Sequence, residues 1–139
     1  MLQGILLADD SAAVRRAVRA YLTARNLPVC GEAEDGVEAI ERAKELKPYV
    51  ILLDLAMPRL NGLEAALVLK KHMPNVRTVL FTMYSEAVSR TFVSKLHWVD
   101  AVIAKADGMG KLAECLERLL GESTETPRAG KGVYRHAPA

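Results

Sequence analysis

Five short apolar runs alternate with amphipathic stretches along this 139-residue chain, and that alternation limits the folds open to it. Apolar runs bounded by helical patterns are typical of strands buried on both faces of a parallel sheet. The repeated alternation predicts an α/β fold: a doubly wound, five-stranded parallel sheet with helices on both faces. The predicted strands cover residues 4–8, 28–33, 49–55, 76–82 and 100–104.

Apolar residues at helical spacing lie between these runs. The clearest stripe follows Ser11, a candidate N-cap, and a second one lies near the end of the chain. Further helices are predicted at 37–46, at 62–73 with Pro74 just beyond, and at about 86–96. The two clear stripes consist of Val14, Ala17, Val18, Tyr21 and Leu22, and of Leu112, Cys115, Leu116, Leu119 and Leu120.

Charge and apolar composition argue against several classes of protein. Lysine and arginine number 19 against 17 acids, without a basic block, which gives no support for direct nucleic-acid binding by this chain. The first apolar run is too short for a signal peptide, and no stretch approaches the ~20 apolar residues of a membrane span. Cys30 and Cys115 are far apart and are interpreted as reduced core thiols. We therefore expect a soluble, cytoplasmic protein without membrane association.

The composition of the chain changes near residue 121. The last segment has no periodicity and is rich in Gly, Pro, Ser and Thr, as is typical of flexible chain. We predict one domain over 1–121 and a flexible C-terminal tail over 122–139. The tail is either the native end of a stand-alone domain or a cut linker to an output domain; the start at Met1 and the unstructured end favour the stand-alone form.

Polar side chains stand where the apolar strands end. In open parallel sheets, ligand sites lie beyond the carboxyl ends of the strands, and we expect the common strand order 2-1-3-4-5, in which strands one and three are neighbours. Carboxylates on neighbouring strands, ~4.8 Å apart, repel one another unless a cation intervenes, and Mg²⁺ prefers such oxygen ligands. The residues at these strand ends are Asp9, Asp10, Asp54, Thr82 and, after the fifth strand, Lys105.

Asp54 is therefore interpreted as an acid at a strand end that faces metal and solvent rather than the core. With Mg²⁺ and Lys105 neutralising a phosphate, its carboxylate could attack phosphorus, and Thr82 could donate a hydrogen bond to a phosphoryl oxygen. Taken singly, Asp9 and Asp10 could cap the following helix and Lys105 could be a solvated loop residue. The gathering of all five at one edge of the sheet favours a shared site.

The same residues carry a resemblance to a known family. The pattern resembles the receiver (CheY-like, flavodoxin-like) domain of bacterial two-component response regulators, over about residues 3–121. The matching residues are Asp9-Asp10, then Asp54 with Met57-Pro58 and Gly62, then Thr82, then Lys105.

The resemblance implies roles for these residues and kinds of partner. Asp54 would be the phosphoacceptor and would bind Mg²⁺ directly, together with Asp10 and the main-chain carbonyl of Ala56, while Asp9 would act through water. The donor would be a sensor histidine kinase or a phosphotransfer protein. The signal would be a phosphorylation-dependent change in contacts with an output protein. Beyond its own phosphorylation and dephosphorylation, such a domain is not an enzyme.

One departure from the family pattern affects output. Val102 stands where receivers usually carry Tyr or Phe, so the usual ring rotation is missing. Either the output face changes little on phosphorylation, or movement of Thr82 is relayed through Met83, Tyr84 and the 86–96 helix instead; we favour the relay. Large rings at Tyr84 and Trp98 make the face of the fourth predicted helix, fifth strand and fifth helix the candidate for partner binding or homodimerisation.

Two other functions fit the sequence less well. A phosphatase of the haloacid dehalogenase type needs a second acid two residues after its nucleophile, where this chain has Ala56. A pseudo-receiver, used only as a binding module, would have lost Asp54 or Lys105, and neither is lost.

Overall fold

The computed structural model describes residues 4–83 and 97–122, so the helix predicted at 86–96 and the predicted tail beyond Glu122 lie outside the described residues. Within those ranges, no helix is long and apolar enough to cross a bilayer. The strands are β1 (Ile5–Ala8), β2 (Val29–Ala33), β3 (Val50–Leu53), β4 (Arg77–Thr82) and β5 (Ala101–Ala104). The helices are α1 (Ala12–Ala24), α2 (Gly36–Leu46), α3 (Gly62–His72) and α4 (Met109–Glu122), with a short 3₁₀ turn at Lys105–Asp107.

The five strands form one parallel sheet in the order β2-β1-β3-β4-β5, which confirms the predicted topology. Ala8, the last residue of β1, pairs with Leu53, the last residue of β3. At the far side, Thr82 at the end of β4 pairs with Ala104 at the end of β5. This register brings the chain segments after β1, β3 and β5 to the same edge.

Helices cover both faces of the sheet, as predicted. Residues of one parity, such as Ile5 and Leu7, belong to a core with α1 and α4, whereas Leu6 and Ala8 belong to a second core with α2 and α3. Because each strand is buried on both sides, its sequence is continuously apolar rather than alternating.

Helix α1 begins as predicted but buries a narrower stripe. The Ser11 hydroxyl accepts a hydrogen bond from the Val14 amide at 3.2 Å, so Ser11 is the N-cap. Val18 and Leu22 are buried, but Ala17, which the apolar pattern included, is exposed. Ala17 lies at the edge of the stripe, where a methyl group is too short to reach the core.

The loop between β3 and α3 is fastened to the start of α2. Asp35, the N-cap of α2, accepts a hydrogen bond from the Glu38 amide at 2.8 Å and forms an ion pair with Arg59 of the loop at 3.0 Å. Beside this pair, Gly36 packs so closely that an added Cβ would lie 2.1 Å from the Leu60 carbonyl oxygen. Glycine at position 36 therefore lets the loop and the helix meet.

Substituting Gly36→Ala should destabilise the protein by about 1 to 3 kcal/mol, because the new methyl group must push the loop away from α2. Gly110→Ala is the matched control: it is also in the first turn of a helix, its nearest neighbour would be the Tyr21 hydroxyl at 3.8 Å, and alanine favours helix. Urea unfolding of both variants measures this. Equal midpoints would contradict the close contact.

Candidate functional site

Three carboxylates converge at the carboxyl edge of the sheet. Asp9 and Asp10 follow β1, and Asp54 follows β3. One carboxylate oxygen from each lies within 4.8 Å of the others. The neighbouring positions of β1 and β3 and their level register produce this cluster, as the sequence predicted from strand ends.

Lys105 reaches the cluster from the end of β5. Its Nζ donates to Asp9 Oδ2 at 2.8 Å and lies 3.6 Å from Asp54 Oδ1. The ammonium also sits 5.7 Å from the centre of the Phe81 ring. The sequence suggested a bridge from Lys105 to an anion on Asp54; here the shorter contact is with Asp9, so Lys105 holds two carboxylates together.

Asp54 is buried, which corrects the expectation that it faces solvent. Only 8% of the residue is exposed. Burial, followed by the charge of Asp9, raises the pKa of Asp54 to about 6, and the charge of Lys105 opposes that rise. The nearby strand ends and the lysine enclose the carboxylate, which strand-end position alone did not reveal.

The two adjacent acids after β1 differ in surroundings. Asp9 is 7% exposed, and its second carboxylate oxygen, Oδ1, accepts a hydrogen bond from the Ser11 amide at 2.9 Å. Asp10 is exposed. Hard carboxylate oxygens from three side chains at this separation fit a Mg²⁺ ion.

Thr82 and Ala56 lie where the sequence placed them, and their roles stay predictions. Thr82 is the last residue of β4 and is completely buried, on the same side of the strand as Leu80. Ala56 is exposed in the loop after β3, next to buried Met57.

Gly62 keeps this loop close to the site. Its amide donates to the Leu55 carbonyl at 2.9 Å, and an added Cβ would lie 2.3 Å from the carbonyl oxygen of Asp54. The sequence identified Gly62 as a helix start, which is correct, but its contact with the Asp54 backbone emerges only from the fold.

Sequence reasoning missed Arg15 and Glu32. Arg15 Nη1 donates to the main-chain carbonyl of Asp9 at 2.6 Å, and its Nε donates to Glu32 Oε1 at 2.8 Å. One signal was available: Glu32 is a charge near the end of an otherwise apolar strand, β2.

In the absence of Mg²⁺, Asp54→Asn should stabilise the protein at pH 8 but not at pH 4. A raised pKa means that protonation of Asp54 favours the folded state, so this stabilisation is complete below the unfolded pKa near 4 and is lost as pH rises through about 6. We expect a gain of about 1 kcal/mol, which is below the ~3 kcal/mol that a shift of about two pKa units would give, because solvent reaches the cluster at exposed Asp10. Thermal unfolding from pH 4 to 8 tests it; a difference independent of pH would contradict it.

Comparison with known proteins places this geometry in a family. The family model for the response regulator receiver domain matches residues 5–117. The chain is 36% identical over 115 residues to response regulator protein VraR of Staphylococcus saprophyticus, a match covering 82% of this chain and 54% of that protein. It is 39% identical over 88 residues to a protein-glutamate methylesterase/protein-glutamine glutaminase of Pyrococcus horikoshii, covering 63% of this chain and 24% of that protein. The chain thus spans about half the length of VraR and about a quarter of the length of the methylesterase.

Solved structures agree. The response regulator domain of Thermotoga maritima CheB superposes with a TM-score of 0.74 at 31% identity, and the match covers 91% of this chain and 100% of that one. The response regulator TrrA of Thermotoga maritima, solved with Mg²⁺ and BeF, gives a TM-score of 0.75 at 26% identity, covering 85% of this chain and 99% of that one. The chain belongs to the response regulator receiver domain family, whose function is to accept phosphoryl groups in two-component signalling.

Proposed function

We propose that this domain accepts its phosphoryl group on Asp54, beside a bound Mg²⁺, and passes the signal on through changed protein contacts. One observation carries the proposal: the carboxylates of Asp9, Asp10 and Asp54 lie within 4.8 Å, and the Lys105 ammonium contacts two of them. An acidic cluster with its own lysine suits an anion that arrives with a divalent cation.

The residues that would hold Mg²⁺ are Asp10, Asp54 and the main-chain carbonyl of Ala56, with Asp9 acting through water. The bound ion would supply positive charge to neutralise the phosphoryl oxygens. The hydrogen bonds from Lys105 and Ser11 support water-mediated binding of the ion by Asp9, because both carboxylate oxygens of Asp9 already accept hydrogen bonds. The exposure of Asp10 supports direct binding of the ion by its carboxylate.

The chemistry requires the ionised form of Asp54. With a pKa of about 6, its carboxylate is charged at neutral pH in the free domain. A carboxylate oxygen attacks phosphorus, the P–N bond of the donor phosphohistidine breaks, and the imidazole takes up a proton as an acyl phosphate forms on Asp54. Lys105 then pairs with a phosphoryl oxygen, and Thr82 donates its hydroxyl to another. Attack by water on phosphorus returns the carboxylate and releases phosphate.

The proposed phosphoryl donor is a sensor histidine kinase or a phosphotransfer protein, the partners of receiver domains. The output partner is an unidentified protein. Val102 is half-buried in β5 and provides no ring to rotate, so the output face departs from the usual receiver arrangement. The 86–96 helix and Tyr84 lie outside the described residues, so the relay and the proposed dimer face stay predictions.

The two competing functions predict different behaviour. A phosphatase of the haloacid dehalogenase type would release phosphate from small esters repeatedly, whereas Ala56 provides no acid for that step. A pseudo-receiver would take up no phosphoryl group at all.

Incubation with acetyl phosphate and Mg²⁺ should add one phosphoryl group to the wild-type protein and none to Asp54→Ala, because the nucleophile is lost. Asp107→Ala is the control: it removes an exposed carboxylate two residues after Lys105. Intact-protein mass spectrometry gives the result. Equal labelling of wild type and Asp54→Ala would reject the assignment, and labelling of neither would favour a pseudo-receiver.

Asp10→Asn should weaken Mg²⁺ binding more than Asp9→Asn does, by about 10-fold or more against a smaller loss, because only Asp10 would lose a direct contact with the ion. Isothermal titration calorimetry of both variants and the wild type measures the ranking. Since the two substitutions are isosteric neighbours, each controls for the other. The reverse ranking would refute the proposed division of roles.

A further inference from the structure

Arg15 joins the metal-binding edge to the neighbouring strand. Its guanidinium uses two different nitrogens: Nη1 donates to the Asp9 carbonyl at 2.6 Å, and Nε donates to Glu32 at 2.8 Å. The side chain of Arg15 is 15% exposed and that of Glu32 is 31% exposed, so these hydrogen bonds are partly shielded from water. Neither the predicted site nor the proposed reaction uses this residue.

The carbonyl that Arg15 binds belongs to the peptide linking Asp9 to Asp10. That peptide unit is planar, so fixing its oxygen also fixes the direction of the Asp10 amide and Cα. On the other side of Asp9, the Asp9 amide donates to Ala33 of β2 at 3.0 Å. The backbone entering Asp10 is thus held from both sides, while the exposed Asp10 side chain extends from it.

Glu32 holds Arg15 in position. Its second oxygen accepts a hydrogen bond from Arg19 Nε at 2.7 Å, so one carboxylate orients two arginines of α1. Burial alone would raise the pKa of Glu32, but the hydrogen bonds from Arg19 and Arg15 lower it, and the carboxylate remains charged. Arg19 shares Glu32 with Arg15, and its side chain is 42% exposed.

We propose that Arg15, held by Glu32, is a positioning residue that aims Asp10 at the metal ion. The inference rests on the proposed function, in which Asp10 is a direct Mg²⁺ ligand. Arginine is suited to this task because its planar fork spans two acceptors, whereas one lysine ammonium does not reproduce that span. Outer partners that orient metal ligands are worth about 10- to 100-fold in metal affinity.

Charge alone predicts the opposite effect, which makes the inference testable. Arg15 is a cation near a cation site, so its removal should by itself strengthen Mg²⁺ binding through lost repulsion. If Arg15 acts by aiming Asp10, its removal weakens Mg²⁺ binding instead. The sign of the change separates the two explanations.

The experiment compares Arg15→Met with the matched control Arg19→Met by Mg²⁺ titration calorimetry. We expect about 10-fold weaker binding in Arg15→Met and near wild-type binding in Arg19→Met, which loses a Glu32 partner but leaves the Asp9 carbonyl bonded. Arg15→Lys and Glu32→Gln should fall between, and they replace Arg15→Met if thermal unfolding shows it does not fold. Saturating Mg²⁺ should restore the rate of phosphorylation by acetyl phosphate in Arg15→Met, a rescue that general damage would not allow.

Three outcomes separate this inference from the function on which it rests. Unchanged or tighter Mg²⁺ binding in Arg15→Met, with weak binding in Asp10→Asn, overturns the inference alone. Equal weakening in Arg15→Met and Arg19→Met also overturns it, because loss of the arginine pair then explains the effect. Absence of Mg²⁺ binding by the wild type overturns both.

Discussion

Repulsion among three carboxylates is the constraint on which this structure depends. Asp9, Asp10 and Asp54 lie within 4.8 Å, and like charges at that range oppose folding unless positive charge or protonation relieves them. Lys105, separated from Asp9 by 96 positions in the chain, supplies part of that charge. The parallel sheet makes the meeting possible, because its register brings the ends of β1, β3 and β5 to one edge. Burial of Asp54 and, after it, the remaining repulsion from Asp9 raise the pKa of Asp54.

The surroundings of the site are held mainly by close backbone contacts. Gly62 lets α3 begin against the Asp54 carbonyl, and Gly36 lets α2 begin against Leu60. Between them, Arg59 adopts a left-handed conformation at φ 66° and pairs with Asp35. On the opposite flank, Arg15 holds the backbone between the two acids after β1. The site residues therefore stand on backbone that neighbouring helices fix, which suits groups that must meet a small ion.

Family membership and local sequence decide different parts of the function. The receiver fold and its phosphoacceptor role follow from the family match over residues 5–117. The output does not follow in the same way, because Val102 replaces the ring that usually reports phosphorylation and β5 contributes an aliphatic residue to the core with α2 and α3. The chain also spans only 54% of its VraR relative, so the partner that reads the signal is a separate question from how the signal is received.

The sequence by itself determined the strands, the helices within the described residues, the Ser11 cap and the edge where the polar residues gather. These depend on local periodicity, capping chemistry and the rule that parallel strands end at one edge of the sheet, all of which can be inferred from the sequence. Only the tertiary structure decided that Lys105 bonds to Asp9, that Asp54 is buried, that Ala17 is exposed, and that Arg15 reaches the Asp9 carbonyl. Lys105 lies 96 positions from Asp9 and Arg15 only six, but in both cases the packing of side chains, rather than residue order, sets the distance between the atoms.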